Sequence, residues 1–281
     1  MNRSKNSVPR NWRRVDANLR LRLATAAVGL PLLIVLIGWG PLWMFCGFFL
    51  LLTAGALYEF FALAVPHAAA KQFIGISIGF VLALALVAFG ESTPLQLFAS
   101  AFVLFCVAGL GFRERLGRFA PLLLRIIGVF YVGYLVPFVI LLFNRPDGRW
   151  WVGWFLIVIM AGDSAGYFIG RCFGKKKLAP GLSPGKTVEG AWGYFAGAVV
   201  VGLCGGVMLS SVVSWFEVFL LSVMIGIMGQ ISDLFESWIK RVFAVKDSGK
   251  LLPGHGGLLD RLDSLIFPAV FTTTYLRIFH S

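Results

Sequence analysis

Two acids, Asp233 and Glu236, stand three residues apart near the end of a long apolar run. In a helix that spacing puts them on one face, with Gln230, Ser237 and Lys240 on or beside it. An acid inside a membrane helix costs about 2.5–3.5 kcal/mol on insertion scales, so it needs a partner or a polar cavity. A salt bridge to Lys240 or Arg241 would supply the partner; a site would supply the cavity. The second cluster is PGHGGLLDRLD, residues 253–263. Glycines 254, 256 and 257 surround His255 and let the backbone turn sharply and approach a ligand. Asp260 and Asp263 follow at helical spacing with Arg261 between them, and Lys246 and Asp247 precede the loop. Carboxylates among cations suit a magnesium–nucleotide site: the ion takes hard oxygen ligands, and Lys and Arg offset phosphate charge. A helix cap would account for Asp260 alone.

A third element is SPGKTVEG, residues 183–190, behind the basic triplet 175–177. It is not a phosphate loop of the GxxxxGK[ST] kind, because Gly181 stands one residue too close to Gly185 and no strand is expected before it. A basic turn remains, in which Ser183, Lys186 and Thr187 are candidates to hold phosphate oxygens. The plainer alternative is a basic loop that caps the next helix. Asp163 sits beside a row of glycines at 162, 166 and 170. Such a row favours close helix packing and leaves Asp163 to line a cavity or pair with a basic loop.

The elements that carry these residues are membrane helices. Of 281 residues 58% are hydrophobic and 14% charged, where soluble domains carry about 25% charged; mean hydropathy is +0.84. The apolar residues form blocks at about 23–39, 41–65, 73–89, 95–112, 121–143, 151–169, 191–209, 218–234 and 264–279, each near the length needed to cross a bilayer. The expectation is an all-α polytopic protein of about nine transmembrane helices. Pro31 and Pro137 are expected inside helices, and the last block, with Pro268 and three threonines, is the weakest. Three regions follow: a basic tail at 1–22, N-terminal helices at 23–143, and C-terminal helices with the chemistry-bearing loops at 144–281.

The formal charge of +12 does not indicate nucleic acid, because the basic residues lie between apolar blocks and match anionic headgroups and topology. With the N-terminus in the cytoplasm, the tail, Lys71, the 113–118 cluster and both long polar loops are inside. Arg145, Arg149 and Arg277 are outside. The four cysteines lack metal-site spacing and read as packing residues. No cleavable leader is expected, since the start is polar and basic and the first apolar run is long enough to remain a helix.

The run Ser237-Trp-Ile-Lys240-Arg241, then Lys246-Asp247, then the PGHGGLLDRLD stretch resembles the signature of the phosphatidate cytidylyltransferases, also called CDP-diacylglycerol synthases. Gly162-Asp163-Ser164, Gly170-Arg171, the SPGKT–EG element and the Arg22-Leu-Ala-Thr-Ala opening are similar to the family as well. The resemblance implies a reaction of CTP with phosphatidic acid, giving CDP-diacylglycerol and pyrophosphate, at a cytoplasmic membrane boundary. It implies Mg2+, with room for a second cation, on Asp233 and Asp260. Lys240, Arg241, Lys246, Asp247, His255 and Arg261 would surround the metal, and Ser183, Lys186, Thr187, Ser237, Gly256 and Gly257 would contact substrate. No nucleic-acid partner is implied, and a homo-oligomer stays open. Two other readings remain at this point: a multi-pass transporter of an anionic lipid or nucleotide, and another CTP-dependent lipid enzyme such as a polyprenol kinase.

Overall fold

In lipid an apolar run satisfies its backbone by becoming a helix, and these do. The computed structural model describes residues 25, 27–90, 92–111, 119–209, 212–249, 251 and 256–280. The tail at 1–22, the basic cluster at 113–118, Lys250 and His255 lie outside them. The elements are α1 (Ala27–Trp39), α2 (Leu42–Ala64), α3 (Ala69–Phe89), α4 (Thr93–Gly111), α5 (Ala120–Gly133), α6 (Phe138–Phe143), α7 (Gly148–Phe173), β1 (Lys177–Ala179), β2 (Ser183–Thr187), α8 (Val188–Gly205), α9 (Trp215–Val242) and α10 (Leu259–Phe279). Seven segments among the described residues are long and apolar enough to cross a membrane, α5 and α6 together making one of them. The chain is an all-α polytopic membrane protein.

Four differences from the expected blocks have physical causes. The 121–143 block breaks after Gly133, because Pro137 cannot donate to the helix ladder and its ring crowds the preceding turn; Pro31 is carried within α1. Helix α9 continues to Val242, two turns past the apolar block, so Asp233 lies within the helix and does not end it. Helix α10 begins at Leu259 and runs through Pro268. Its threonines are buried: Ser100 Oγ donates to Thr274 Oγ1 at 3.1 Å, and the Thr273 and Thr274 hydroxyls donate to the carbonyls of Phe138 and Gln96. A helix enclosed by protein need not be apolar all round, which is why this block looked weak. Finally, the SPGKT element is a strand, paired antiparallel with β1.

Helices α7 and α8 pack along the glycine row, as its spacing predicts. A Cβ on Gly166 would stand 3.2 Å from the Gly190 carbonyl oxygen, and one on Gly170 would stand 3.3 Å from Gly190 Cα. A Cβ on Gly197 would meet Ala165 Cβ at 2.5 Å. Neither backbone can yield there, so Gly197→Val should cost about 1–3 kcal/mol, read as a lowered unfolding midpoint of the detergent-solubilised protein. An unchanged midpoint would mean that the seam is looser than this geometry. Helix α9 lies against both α8 and α10, and α10 against α4 and α6. The core between them is aromatic, with Phe60, Tyr131, Trp154, Phe235 and Phe267 fully enclosed. All four cysteines are free.

At the end of the bundle away from the hairpin, Arg149 donates to the carbonyls of Ile37, Gly38 and Gly40, closing the C-terminus of α1. Arg145 does the same for α10 through Leu276 and His280.

Candidate active site

The C-terminus of α7, the hairpin, the N-terminus of α8, the C-terminus of α9 and the start of α10 meet at one end of the bundle. The hairpin register, Lys177 opposite Thr187, delivers the chain to α8. Thr187 caps that helix: its Oγ1 accepts from Gly190 N–H at 3.1 Å. Glu189 accepts from the N–H groups of Lys175, at 3.0 Å, and Lys176, tying the exit of α7 to the start of α8. The capping alternative therefore holds at Thr187. Held this way, β2 sends Lys186 across to Asp233 of α9, Nζ to Oδ2 2.5 Å. Together with Asp163, Tyr194, Gln230 and Arg171 this pair lines a cavity of about 400 Å³.

A second group lies alongside, between α9 and α10. Lys240 Nζ stands 2.5 Å from Glu236 Oε2 and donates to Asp260 Oδ1 at 2.8 Å. Asp260 also accepts from Ser248 N–H, at 3.1 and 3.2 Å on its two oxygens, and from Gly257 N–H at 3.0 Å. Ser232 Oγ donates to the Asp263 carbonyl oxygen and accepts from Phe267 N–H, locking the two helices in antiparallel register. Asp263 lies near Asp233, and Asp233 near Asp163, close enough for their charges to act on one another. Arg261 is exposed and its charge reaches Asp163.

The remaining candidates fall into four kinds. Ser237 is buried on the α9 face, and Ser183 borders the hairpin half-buried. Lys246 and Asp247 are exposed on the loop after α9. Arg241 is committed to backbone: its Nε donates to Leu182 O at 3.0 Å and its Nη1 to Val245 O at 3.1 Å. Gly256 takes φ +85°, which favours glycine, while a Cβ on Gly257 would overlap Ser248 Oγ. Gly257 thus serves as a close-packed amide donor to Asp260.

The carboxylates are the hard oxygen donors that a divalent cation would take. Five of them, Asp163, Asp233, Glu236, Asp260 and Asp263, gather here with Lys186, Lys240, Arg171 and Arg261. Glu236 is 0% exposed, and its Oε1 has no hydrogen-bond partner among the described residues. Its Oε2 has the Lys240 contact, too poorly aligned to be a hydrogen bond. Among the described residues no group of three or more His, Cys, Asp or Glu side chains is placed to hold an ion. Mg2+ takes one or two protein carboxylates and completes its shell with water and phosphate oxygens.

The model of the cytidylyltransferase family matches residues 20–279, nearly the whole chain. The chain belongs to the cytidylyltransferase family. It is 42% identical over 153 residues to the phosphatidate cytidylyltransferase of Brucella suis biovar 1 (strain 1330), covering 54% of this chain and 56% of the relative. It is 38% identical over 154 residues to the protein of that name from Bacillus subtilis (strain 168), covering 53% and 56%. It is 37% identical over 142 residues to that from Staphylococcus saprophyticus, covering 50% and 54%. In these matches the chain spans about half the length of each relative.

Within this cytidylyltransferase fold, the sequence points to the lysines and ties Asp233 and Asp260 to a metal, but it does not place Asp163, Glu236 or Asp263 in that set, and it gives no role to Tyr194 or Glu59. Tyr194 looks like any aromatic in an apolar block; only the glycine seam aims it at the cavity. Glu59 did carry a signal, an unpaired acid in the middle of the second apolar block.

Proposed function

We propose that this protein is a phosphatidate cytidylyltransferase, joining CTP to phosphatidic acid at the cytoplasmic face of the membrane. The observation that carries the reading is the cavity at the hairpin end of the bundle. Lysine and carboxylates line it, and exposed apolar side chains such as Phe168 and Trp192 flank it on α7 and α8. One substrate is dissolved in the bilayer and the other is a polyanion in water, so only a polar site at a membrane boundary meets both. Family membership favours transfer over transport. The lysine and arginine asymmetry favours a cytoplasmic N-terminus and about nine spans, with α1 and α10 added to the seven.

In the proposed reaction a phosphate oxygen of phosphatidic acid attacks the α-phosphorus of CTP. The new P–O bond gives CDP-diacylglycerol, and the bond from the α-phosphorus to its bridging oxygen breaks, releasing pyrophosphate. The nucleophile is already an anion at neutral pH, so positioning and charge compensation dominate. Asp233 and Asp260 are the residues assigned to hold Mg2+, with Glu236 and Asp263 beside them. A Mg2+ ion held by them would supply charge compensation to the phosphates. Lys186 is placed to exchange its Asp233 partner for a phosphate oxygen, and Arg261 adds charge from the α10 side.

The test uses sealed vesicles of each orientation, supplied with CTP, which does not cross the bilayer, phosphatidic acid and Mg2+. CDP-diacylglycerol and pyrophosphate should form only where the loop face is outward, and a chelator should stop it. Phosphorylated lipid plus CDP would indicate a kinase, and product from the opposite orientation would overturn the sidedness.

A further inference from the structure

Glu59 lies in the N-terminal half of the chain, far in sequence from every residue of the site. It is 2% exposed. Its carboxylate reaches the segment that leads into α10, whose first turn carries the proposed metal ligand Asp260. Oε2 accepts from Ser248 Oγ at 3.2 Å and from Leu259 N–H at 3.0 Å, and Oε1 accepts from Leu251 N–H at 3.2 Å. Ser248 relays the contact: its Oγ accepts from Asp260 N–H at 3.3 Å, and its own N–H donates to the Asp260 carboxylate. Lys240 then joins Asp260 to Glu236. The glycines confirm how closely the parts fit. A Cβ on Gly249 would stand 2.3 Å from Glu59 Oε1, one on Gly257 2.8 Å from Glu59 Oε2, and one on Gly55 2.7 Å from Leu258 Cδ2.

We infer that Glu59 is a positioning residue that fixes Ser248, Leu251 and Leu259, and through Ser248 aims the Asp260 carboxylate. The alternative is a buried acid that only stabilises the bundle. Two facts argue against it. All three donors that it accepts belong to the site loop or its junction with α10, and none belongs to the neighbouring helices α3 and α5. Burying an acid costs stability unless it is well hydrogen-bonded, so an apolar side chain would serve packing better. In α2 the rest of the buried face is apolar or hydroxylic, with Phe45, Phe49, Thr53, Ala56, Leu57 and Phe60. Glu59 touches no substrate in this scheme; it acts through Asp260.

The inference rests on the proposed function for its catalytic consequence but not for the anchoring itself, and the experiment separates the two. Glu59→Gln keeps the shape and replaces one accepting oxygen with an NH2 donor. Ser248→Ala cuts the same link from the loop side and serves if Glu59→Gln does not fold. Leu57→Ala removes enclosed packing from the same helix and is the structural control. Amide exchange in detergent is read first. Glu59→Gln and Ser248→Ala should speed exchange at Leu251 and Leu259 while α7 and α8 stay protected. Under turnover, both should lower kcat by about tenfold, as loss of a charge-assisted hydrogen bond allows, and raise the Mg2+ concentration at half activity. KM for CTP should move little. Leu57→Ala should lower the unfolding midpoint without changing the Mg2+ titration. Unchanged exchange at the loop overturns the anchoring. Faster exchange with wild-type kcat and Mg2+ dependence overturns the positioning role. Absence of CDP-lipid from the wild-type protein would instead count against the proposed function.

Discussion

Asp233→Asn lowers CDP-diacylglycerol formation by about a thousandfold, ~4 kcal/mol of transition-state stabilisation, while the protein still inserts and folds. Asn keeps the volume and one oxygen but loses the charge that holds both Lys186 and the proposed cation. If Asp233 served only its ion pair with Lys186, at a part-exposed position, the loss would be small, about 0–1 kcal/mol. Asp260→Asn should fall comparably. The double variant should be little worse than either, because groups that act as a unit are not additive. The measurement is product formation against a Mg2+ titration. Activity within a few-fold of wild type, at unchanged Mg2+ dependence, would remove that residue from the metal site and leave it a salt-bridge partner.

Lys240→Met should be the most destabilising single change among the site residues. Its ammonium stands between Glu236, which has 0% exposure, and Asp260, and no other cation contacts the Glu236 carboxylate among the described residues. Removing one member of a buried ion pair leaves the other uncompensated, at a cost of about 3–5 kcal/mol. The expected result is poor yield and a low unfolding midpoint. Adding Glu236→Gln removes the stranded charge, and the double variant should recover most of the midpoint but not the activity, since Asp260 has still lost its cation. If the single variant unfolds like wild type, Glu236 is held in its protonated form and the pair is not ionic. If the double variant recovers turnover as well, Lys240 acts only in folding.

The membrane blocks, and the acids near the ends of those that carry the site, were legible because the bilayer enforces strict rules on length and charge. Lys186, Asp233, Lys240 and Asp260 could be singled out for the same reason: a charge at a membrane boundary needs a reason to be there. Which charges pair could be read only in part. Helical spacing offered Lys240 or Arg241 to Asp233 or Glu236, and Glu236 does meet Lys240; but β2 brings Lys186 to Asp233 from another loop, and Arg241 turns to the Leu182 and Val245 carbonyls. Such pairings depend on where α8 sits against α7, which the glycine row announces but does not place. The extension of α9 past Leu234 was hidden because its last two turns are too polar to register as membrane-spanning, although helix formation needs no hydropathy once the other face is packed. Glu59 is the clearest loss. Its partners are the backbone N–H groups of Leu251 and Leu259 and a serine hydroxyl, and backbone donors leave no mark in side-chain patterns.

The arginines at the far end of the bundle bear on how a polyanion finds this protein. Arg145 and Arg149 point into the partial negative charge at the C-termini of α10 and α1, where helix dipoles cancel part of their field. The exposed basic side chains of the described residues weigh toward the hairpin end, where Arg171, Lys175, Lys176 and Lys177 face solvent. If the proposed function holds, a nucleoside triphosphate from water should be captured at that end, and its capture rate should fall as added salt shortens the screening length.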